Sequence, residues 1–363
     1  MLIYLVLVPM ALLLYFSGEL VAKAGSRKLE SPTKPPSGPL NFFHISSFII
    51  LALFIGLRHD VGSDWWIYNS LFDKFNADQD WFAQILTSPQ EPLFTIIYLV
   101  VKKVGGSVSF FFTVVSVLTL VPIFIGIRKY SHLPTMALGT YLFLGYYLMA
   151  FNVSRQSMAL AIAFVGVLTI SRNRTFGIGL VVLACFVHSS TVVFLLSLVI
   201  VMVFRPSLKM VVVSATLLAV SSASILQIPN IANLIFQLNG RFGSYIAVSH
   251  ESGLGSYFIA LVKIALIIFV LARNPGAKGH SKVELSLLVL SVIFLILGTR
   301  IVEASRFEIF YSVILVKYLP NSVGTLQSDR LIKVLMTVAG IVFFVLYLVS
   351  FGDLVPYHVA NFL

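Results

Sequence analysis

The stretch Gly56-Leu-Arg58-His-Asp60-Val-Gly62-Ser-Asp64-Trp-Trp-Ile-Tyr68 places a guanidinium, an imidazole, two carboxylates and three aromatic side chains within eleven residues. Only 11% of the chain is charged, so this density stands out. A guanidinium fork binds phosphate bidentately. Carboxylates and a tyrosine hydroxyl bond sugar hydroxyls, aromatic faces stack on sugar rings, and a carboxylate or imidazole can act as a general base. Two more polar groups interrupt apolar sequence. One is Asn152-Val-Ser-Arg155-Gln156-Ser-Met-Ala. The other is Cys185-Phe-Val-His188-Ser189-Ser190-Thr191. Arg300, Glu303 and Arg306 form a fourth, and Arg241 and Tyr245 fall in a broken polar segment.

The elements that must position these groups are set by composition. The 363 residues are 58% hydrophobic, with a mean hydropathy of +0.98. The runs Leu2–Val21, Asn41–Leu57, Ser107–Ile127, Leu208–Leu226, Tyr257–Leu271 and Leu331–Ser350 approach or reach the ~20 residues that cross a bilayer as a helix. A transmembrane β-barrel would instead show short alternating segments. The expectation is an all-α, polytopic membrane protein of roughly 12 spans. It forms one integral domain over residues 1–363. The first segment has no basic n-region and reads as a retained helix, not a cleaved signal. The single cysteine, Cys185, forms no intrachain disulfide.

The net charge of +11 is not a nucleic-acid signal. The basic residues cluster between spans: Lys23 to Lys34, Arg128 with Lys129, Arg172 with Arg174, Arg205 with Lys209, Arg273 to Lys282, and Arg330 with Lys333. The positive-inside rule puts these clusters in the cytoplasm and both termini outside. Two external segments follow, 58–106 and 227–253. The first holds Asp60, Asp64, Asp73, Asp78, Asp80 and Glu91. Within it, 92–104 is apolar but short and reads as an amphipathic or re-entrant helix. Residues 175–204 are bounded by basic clusters and read as two short helices meeting near His188.

Each group has a plainer alternative. Arg58 suits a snorkelling anchor. Asp60 and Asp64 suit a turn and a cap beside Gly62. Arg155 suits an ordinary partner for a carboxylate. His188 with Ser189, Ser190 and Thr191 suits a helix start capped by a hydroxyl. Arg300, Glu303 and Arg306 suit intrahelical ion pairs at i,i+3. Trp65 and Trp66 suit an interfacial belt. Against these stands one pattern: Arg58, Arg155, Arg241, Arg300 and Arg306 all fall at the outer side, against the charge rule. An arginine-lined outer cavity with carboxylates, an imidazole and aromatics fits a lipid-linked phosphate bearing a sugar.

Arg58-His-Asp60-Val-Gly62-Ser-Asp64, then Asn152-Val-Ser-Arg155-Gln156-Ser-Met-Ala159, then Ala184-Cys-Phe-Val-His188-Ser189-Ser190 resemble, in order, the motifs of the EpsG-like branch of the Wzy family of bacterial polysaccharide polymerases. The departures are His59 for an aromatic residue, Ser63 for threonine, and Ser154 for an aliphatic residue before the arginine. The resemblance implies a GT-C-like fold in the bacterial inner membrane. It implies transfer of a growing glycan from undecaprenyl diphosphate to an incoming lipid-linked repeat unit on the periplasmic face. It implies no metal, no cofactor and no nucleotide sugar. Partners would be undecaprenyl-diphosphate-linked oligosaccharides, the lipid bilayer, a flippase and a chain-length regulator, with no nucleic acid. The chain shows no Walker-type loop, no His-Glu-x-x-His and no Cys/His ligand cluster.

On this reading Arg155 holds the diphosphate with help from Arg58, Arg241 or Arg306, and Arg300 contacts substrate. The base candidates, in order, are His188, Asp64 and Asp60. Tyr68, Asn152, Gln156, Ser189 and Tyr245 contact substrate. Two rivals remain open. One is another lipid-dependent transferase or an O-antigen ligase, although ligases carry a larger late external loop. The other is a lipid-oligosaccharide flippase or other transporter, although polar groups at one face and no evident duplicated halves argue against it.

Overall fold

A computed structural model describes residues 1–25, 40–225, 254–299, 302–324, 330–350 and 352–360. The expected external segment 227–253, with Arg241 and Tyr245, lies outside the described residues, as do Arg300 and the side chain of Glu303.

The described chain is helical throughout. Its helices are α1 (Leu2–Gly25), α2 (Phe42–Gly56), α3 (Trp65–Lys74), α4 (Trp81–Thr87), α5 (Pro92–Lys103), α6 (Val108–Tyr130), α7 (Pro134–Phe143), α8 (Tyr146–Met149), α9 (Ser154–Thr169), α10 (Arg174–Cys185), α11 (Thr191–Phe204), α12 (Leu208–Ile225), α13 (Leu254–Arg273), α14 (Gly279–Gly298), α15 (Val302–Ser312), α16 (Leu315–Gly324) and α17 (Arg330–Ser350). Extended pairing among the described residues is confined to one isolated bridge, Arg58 to Val359.

Among the described residues, four helical segments are long and apolar enough to cross a membrane: Leu2–Ala24, Val108–Tyr130, Gly255–Arg273 and Gly279–Gly298. Six apolar helices are shorter, 10–17 residues. Large apolar side chains stand exposed along the helices, among them Leu2, Leu13 and Leu20 on α1 and Leu196, Val203 and Phe204 on α11. Water does not tolerate such continuous apolar faces, and lipid does. The protein is a polytopic α-helical membrane protein.

Two compact units emerge from the packing: Met1–Ser189 with Val316–Leu363, and Ser190–Leu315. In the first, α1 packs on α2, α2 on α6, α6 on α9 and α9 on α10. The last pair approach closely through Gly166 and Gly177. A Cβ on either glycine would run into the other's carbonyl oxygen. Small residues permit such backbone contact where no hydrophobic effect drives helices together.

Contacts along these helices define two ends of the first unit. At one end the Tyr4 hydroxyl donates to the Leu354 carbonyl, and Arg58, just after α2, lies against Phe112 near the start of α6. At the other, Glu19 on α1 meets His44 on α2 and Arg128 on α6. Tyr4 and Glu19 are about 15 residues apart on one helix, roughly 22 Å. Asn41 and His44 make a reciprocal capping box that starts α2 at this second end. A Cβ on Gly56 would collide with Thr113, so α2 ends beside the beginning of α6. Segment 58–106 therefore leaves and rejoins the bundle at the same end, with α3, α4 and α5 between. Phe94, Tyr98 and Val101 of α5 are buried while Val100 is exposed. In the sequence-based expectation, residues 175–204 form two helices; here α10 and α11 are separated by residues 186–190.

In the second unit α12 packs on α14, and α14 on α15. Phe194 of α11 packs against Phe310 and Tyr311 of α15, and Ser197 bonds the Tyr311 hydroxyl at 2.8 Å. Lys263 of α13 and Glu308 of α15 form a buried ion pair at 2.8 Å.

Candidate active site

The loop after α2 is shaped by its backbone. Asp60 adopts φ +50°, a left-handed conformation that aspartate tolerates better than most residues. Gly62 has φ +93°, and a Cβ there would strike the carbonyl oxygen of Phe151. Only glycine fits that position. The loop then lies against residues 352–360, which run beside it as a strap. His59 N–H donates to the His358 carbonyl, Gly62 N–H to Asp353, and Ser63 N–H to Gly352, while Ala360 N–H donates back to Leu57. Asn152 Oδ1 accepts a second bond from Ser63 N–H at 2.9 Å.

Arg58 points into the protein and is only 1% exposed. Its Nη1 donates to the Ile55 carbonyl at 2.7 Å, and its Nη2 to Ser154 Oγ at 3.0 Å. The guanidinium carbon sits 4.1 Å from the centre of the Phe112 ring. Arg58 and Asn152 thus couple the first motif to the second. Asp60 is exposed and Asp64 is half-buried; Asp64 occupies the N-cap position of α3 without capping it, and accepts instead from Ser63 Oγ at 3.2 Å. Trp65 is core, packed on His59 and Phe112, whereas Trp66 is exposed.

The second and third motifs meet at a carboxylate that the sequence motifs do not contain. Glu91 Oε2 accepts from Arg155 Nη1 at 2.6 Å. Its Oε1 lies 3.1 Å from His188 Nδ1. The same oxygen accepts from the Ser189 backbone N–H at 2.9 Å and from Ser189 Oγ at 3.0 Å. The local folds explain the meeting. Glu91 sits at the N-cap of α5, with Pro92 starting the helix, and makes no cap bond of its own. Leu93 N–H donates to the Phe186 carbonyl, tying the start of α5 to the end of α10. Arg155 is in the first turn of α9, and its backbone N–H donates to the Tyr68 hydroxyl at 3.4 Å. His188 lies in the break between α10 and α11. Ser190 stands at the N-cap of α11 without a side-chain cap bond. The hydroxyl that matters here is that of Ser189, and it turns to Glu91.

The side chains of Arg155, His188 and Glu91 are 24%, 21% and 14% exposed, so the cluster is recessed but reachable. Burial alone raises the Glu91 pKa. Hydrogen bonds from His188 and Ser189 and the charge of Arg155 outweigh it and hold the carboxyl well below its usual range. Glu91 is therefore ionised at neutral pH and accepts all four bonds. With Nδ1 directed at that carboxylate, the second ring nitrogen of His188, Nε2, is left as the lone-pair acceptor of the neutral ring. Nε2 has no hydrogen-bond partner among the described residues. Buried polar atoms without partners fall on the same segments: Arg155 Nε, Ser157 Oγ and Gln90 Oε1.

Gln156 is buried beside Arg155 in α9. Arg306 is on α15, in the second unit. No group of three or more His, Cys, Asp and Glu side chains among the described residues is arranged to hold a metal.

In the sequence Glu91 is one acid among several in its segment; its signal is a lone carboxylate directly preceding a proline-initiated apolar helix.

No curated protein and no solved structure matches this chain. A family model, that of the EpsG family, matches residues 41–359, which include all three motifs, Glu91 and most of the strap. The chain belongs to the EpsG family of Wzy-like membrane polysaccharide polymerases.

Proposed function

We propose that the chain polymerises undecaprenyl-diphosphate-linked oligosaccharide repeat units on the outer face of the bacterial inner membrane. One observation carries the reading: Arg155 and His188, from separate motifs, converge on Glu91 in a recessed, partly exposed cluster. An anion-binding guanidinium beside an imidazole with a lone-pair nitrogen is the pair that this transfer needs.

The step is a displacement at the anomeric carbon. The acceptor hydroxyl oxygen bonds to C1 of the donor glycan as the bond from C1 to the diphosphate oxygen breaks. The electron pair leaves with undecaprenyl diphosphate, and the hydroxyl proton passes to His188 Nε2. Arg155 stabilises the negative charge that grows on the leaving diphosphate. No metal is assigned, because the guanidinium supplies the positive charge. Asp60, being exposed, and Asp64, bonded to Ser63, rank behind His188 as the base. Tyr68 and Ser189 border the cluster, Tyr68 buried against Arg155 and Ser189 bonded to Glu91.

Topology supports the outer face. The site, the start of α1 and the strap lie at the first end of the unit. Arg128, with Lys129 beside it in the last turn of α6, marks the opposite end, the one expected in the cytoplasm. Both termini are then periplasmic. A flippase would deliver repeat units to this face, and a chain-length regulator would act with the polymerase there.

The test is incubation of purified protein with lipid-diphosphate-linked repeat units, read as a glycan ladder. The wild type makes the ladder. Arg155→Ala and His188→Ala insert and fold but elongate nothing. Long-chain product from Arg155→Ala removes its assigned role.

A further inference from the structure

We propose that Glu91 is the positioning residue of this site, fixing His188 in the tautomer that leaves Nε2 as the base and fixing Arg155 beside it. The inference rests on the functional reading above and deepens it.

The geometry makes the case. Glu91 Oε1 receives His188 Nδ1 at 3.1 Å, and its Oε2 receives Arg155 Nη1 at 2.6 Å. One carboxylate thus sets the distance between the group that takes the proton and the group that steadies the leaving diphosphate. Ser189 holds the carboxylate in turn with its N–H and its hydroxyl. The helix-start position of Glu91 puts its backbone on a rigid element, tied to α10 through Leu93 and Phe186. In neutral imidazole one nitrogen carries the proton, and a carboxylate at Nδ1 decides which. As the acceptor proton arrives at Nε2, the imidazolium forms between that anion and the Arg155 cation. Glu91 stays ionised throughout, and the proton leaves from Nε2 to solvent. The other ionisable groups close by are the Tyr68 hydroxyl, bonded to Arg155, and Asp64 near Tyr68.

A charge so placed has a consequence that scaffolding lacks. In its absence nothing selects between the two ring tautomers, and nothing holds the Arg155 fork at its distance from the ring. Glu91→Gln therefore lowers kcat for lipid-linked repeat units at least ~10-fold, the usual loss when a partner that orients a ligand or base is removed. KM changes little, so the loss falls on kcat, and Glu91→Asp, which keeps the carboxylate, recovers part of it.

A second measurement needs no turnover. The 15N chemical shifts of the His188 ring, read by NMR at one pH, report which nitrogen carries the proton, and the Nδ1-protonated tautomer of the wild type gives way to a mixture in Glu91→Gln. This readout serves even where the variant turns over nothing. Wild-type kcat in Glu91→Gln, or a slow variant whose His188 tautomer is unchanged, overturns the positioning role and leaves the functional reading standing. Full activity in His188→Ala, or a wild type that elongates nothing, overturns the functional reading and this inference with it.

Discussion

Replacing Arg58 separates a structural arginine from a phosphate ligand. Its position in the first motif invites the ligand reading, and its geometry gives the other. The fork spends one arm on the Ile55 carbonyl at the end of α2 and the other on Ser154 Oγ at the start of α9, with its plane against Phe112. No carboxylate pairs with it among the described residues. Burial lowers its pKa to about 10, so it is still charged at neutral pH. Arg58→Lys keeps the charge but cannot reach both acceptors from one ammonium or lie flat on the ring. The loss is one charge-assisted hydrogen bond, ~1.5–3 kcal/mol, and part of a cation–π contact, ~1 kcal/mol. Relief of the buried charge is not gained, since lysine carries it too. The net is about 3 kcal/mol. At ~2–4 °C per kcal/mol for a unit of this size, the melting midpoint falls by roughly 6–12 °C. Thermal unfolding of detergent-purified protein by tryptophan fluorescence reads this, with glycan-ladder activity measured per folded molecule well below the midpoint. An Arg58→Lys protein with the wild-type midpoint and no activity refutes the argument and returns Arg58 to the substrate.

Three further outcomes follow from the same geometry. Gly62→Ala combines positive φ with a collision at the Phe151 carbonyl, so folded yield in membranes collapses, whereas Gly179→Ala, with open space around it, stays within ~0.5 kcal/mol of wild type by thermal unfolding. Glu19→Ala removes the carboxylate that meets both His44 and Arg128; it costs about 1–3 kcal/mol of stability, and activity per folded molecule is unchanged. The Glu91 carboxyl has a folded pKa below its ordinary value of 4.5, so it stabilises the fold above that pH and the contribution fades as pH falls through the folded value. Acid unfolding followed by fluorescence is accordingly shallower below pH ~4.5 in Glu91→Gln than in wild type; equal slopes refute the assignment.

The helical membrane class was legible because it depends on composition and run length, which are local properties. The break near His188 was legible for a related reason: basic clusters at both ends of 175–204 forbid a single crossing. Which polar residues meet was not legible. Arg58, Arg155 and His188 look alike in sequence, as polar groups at helix ends. Yet Arg58 turns inward to Ser154 and Phe112, while Arg155 and His188 turn to Glu91. That difference is decided by tertiary neighbours from α5 and α6, not by anything within a motif. The strap is a similar case. Its backbone bonds to residues 57–63 have no side-chain signature, so nothing in the sequence of 352–360 announces them.

That strap bears on how the protein is made. Tyr357 bonds the Phe54 carbonyl across 303 residues of chain, and Tyr4 reaches Leu354 across 350. The loop carrying the first motif emerges early in synthesis, but its backbone donors at His59, Gly62 and Ser63 find their acceptors only after α17 has been inserted. Contacts so distant in sequence form late. A nascent chain halted before residue 352 carries every motif and still lacks the partners that set the first one. The emergence of residues 352–360 is therefore the step that gives the first motif its backbone partners.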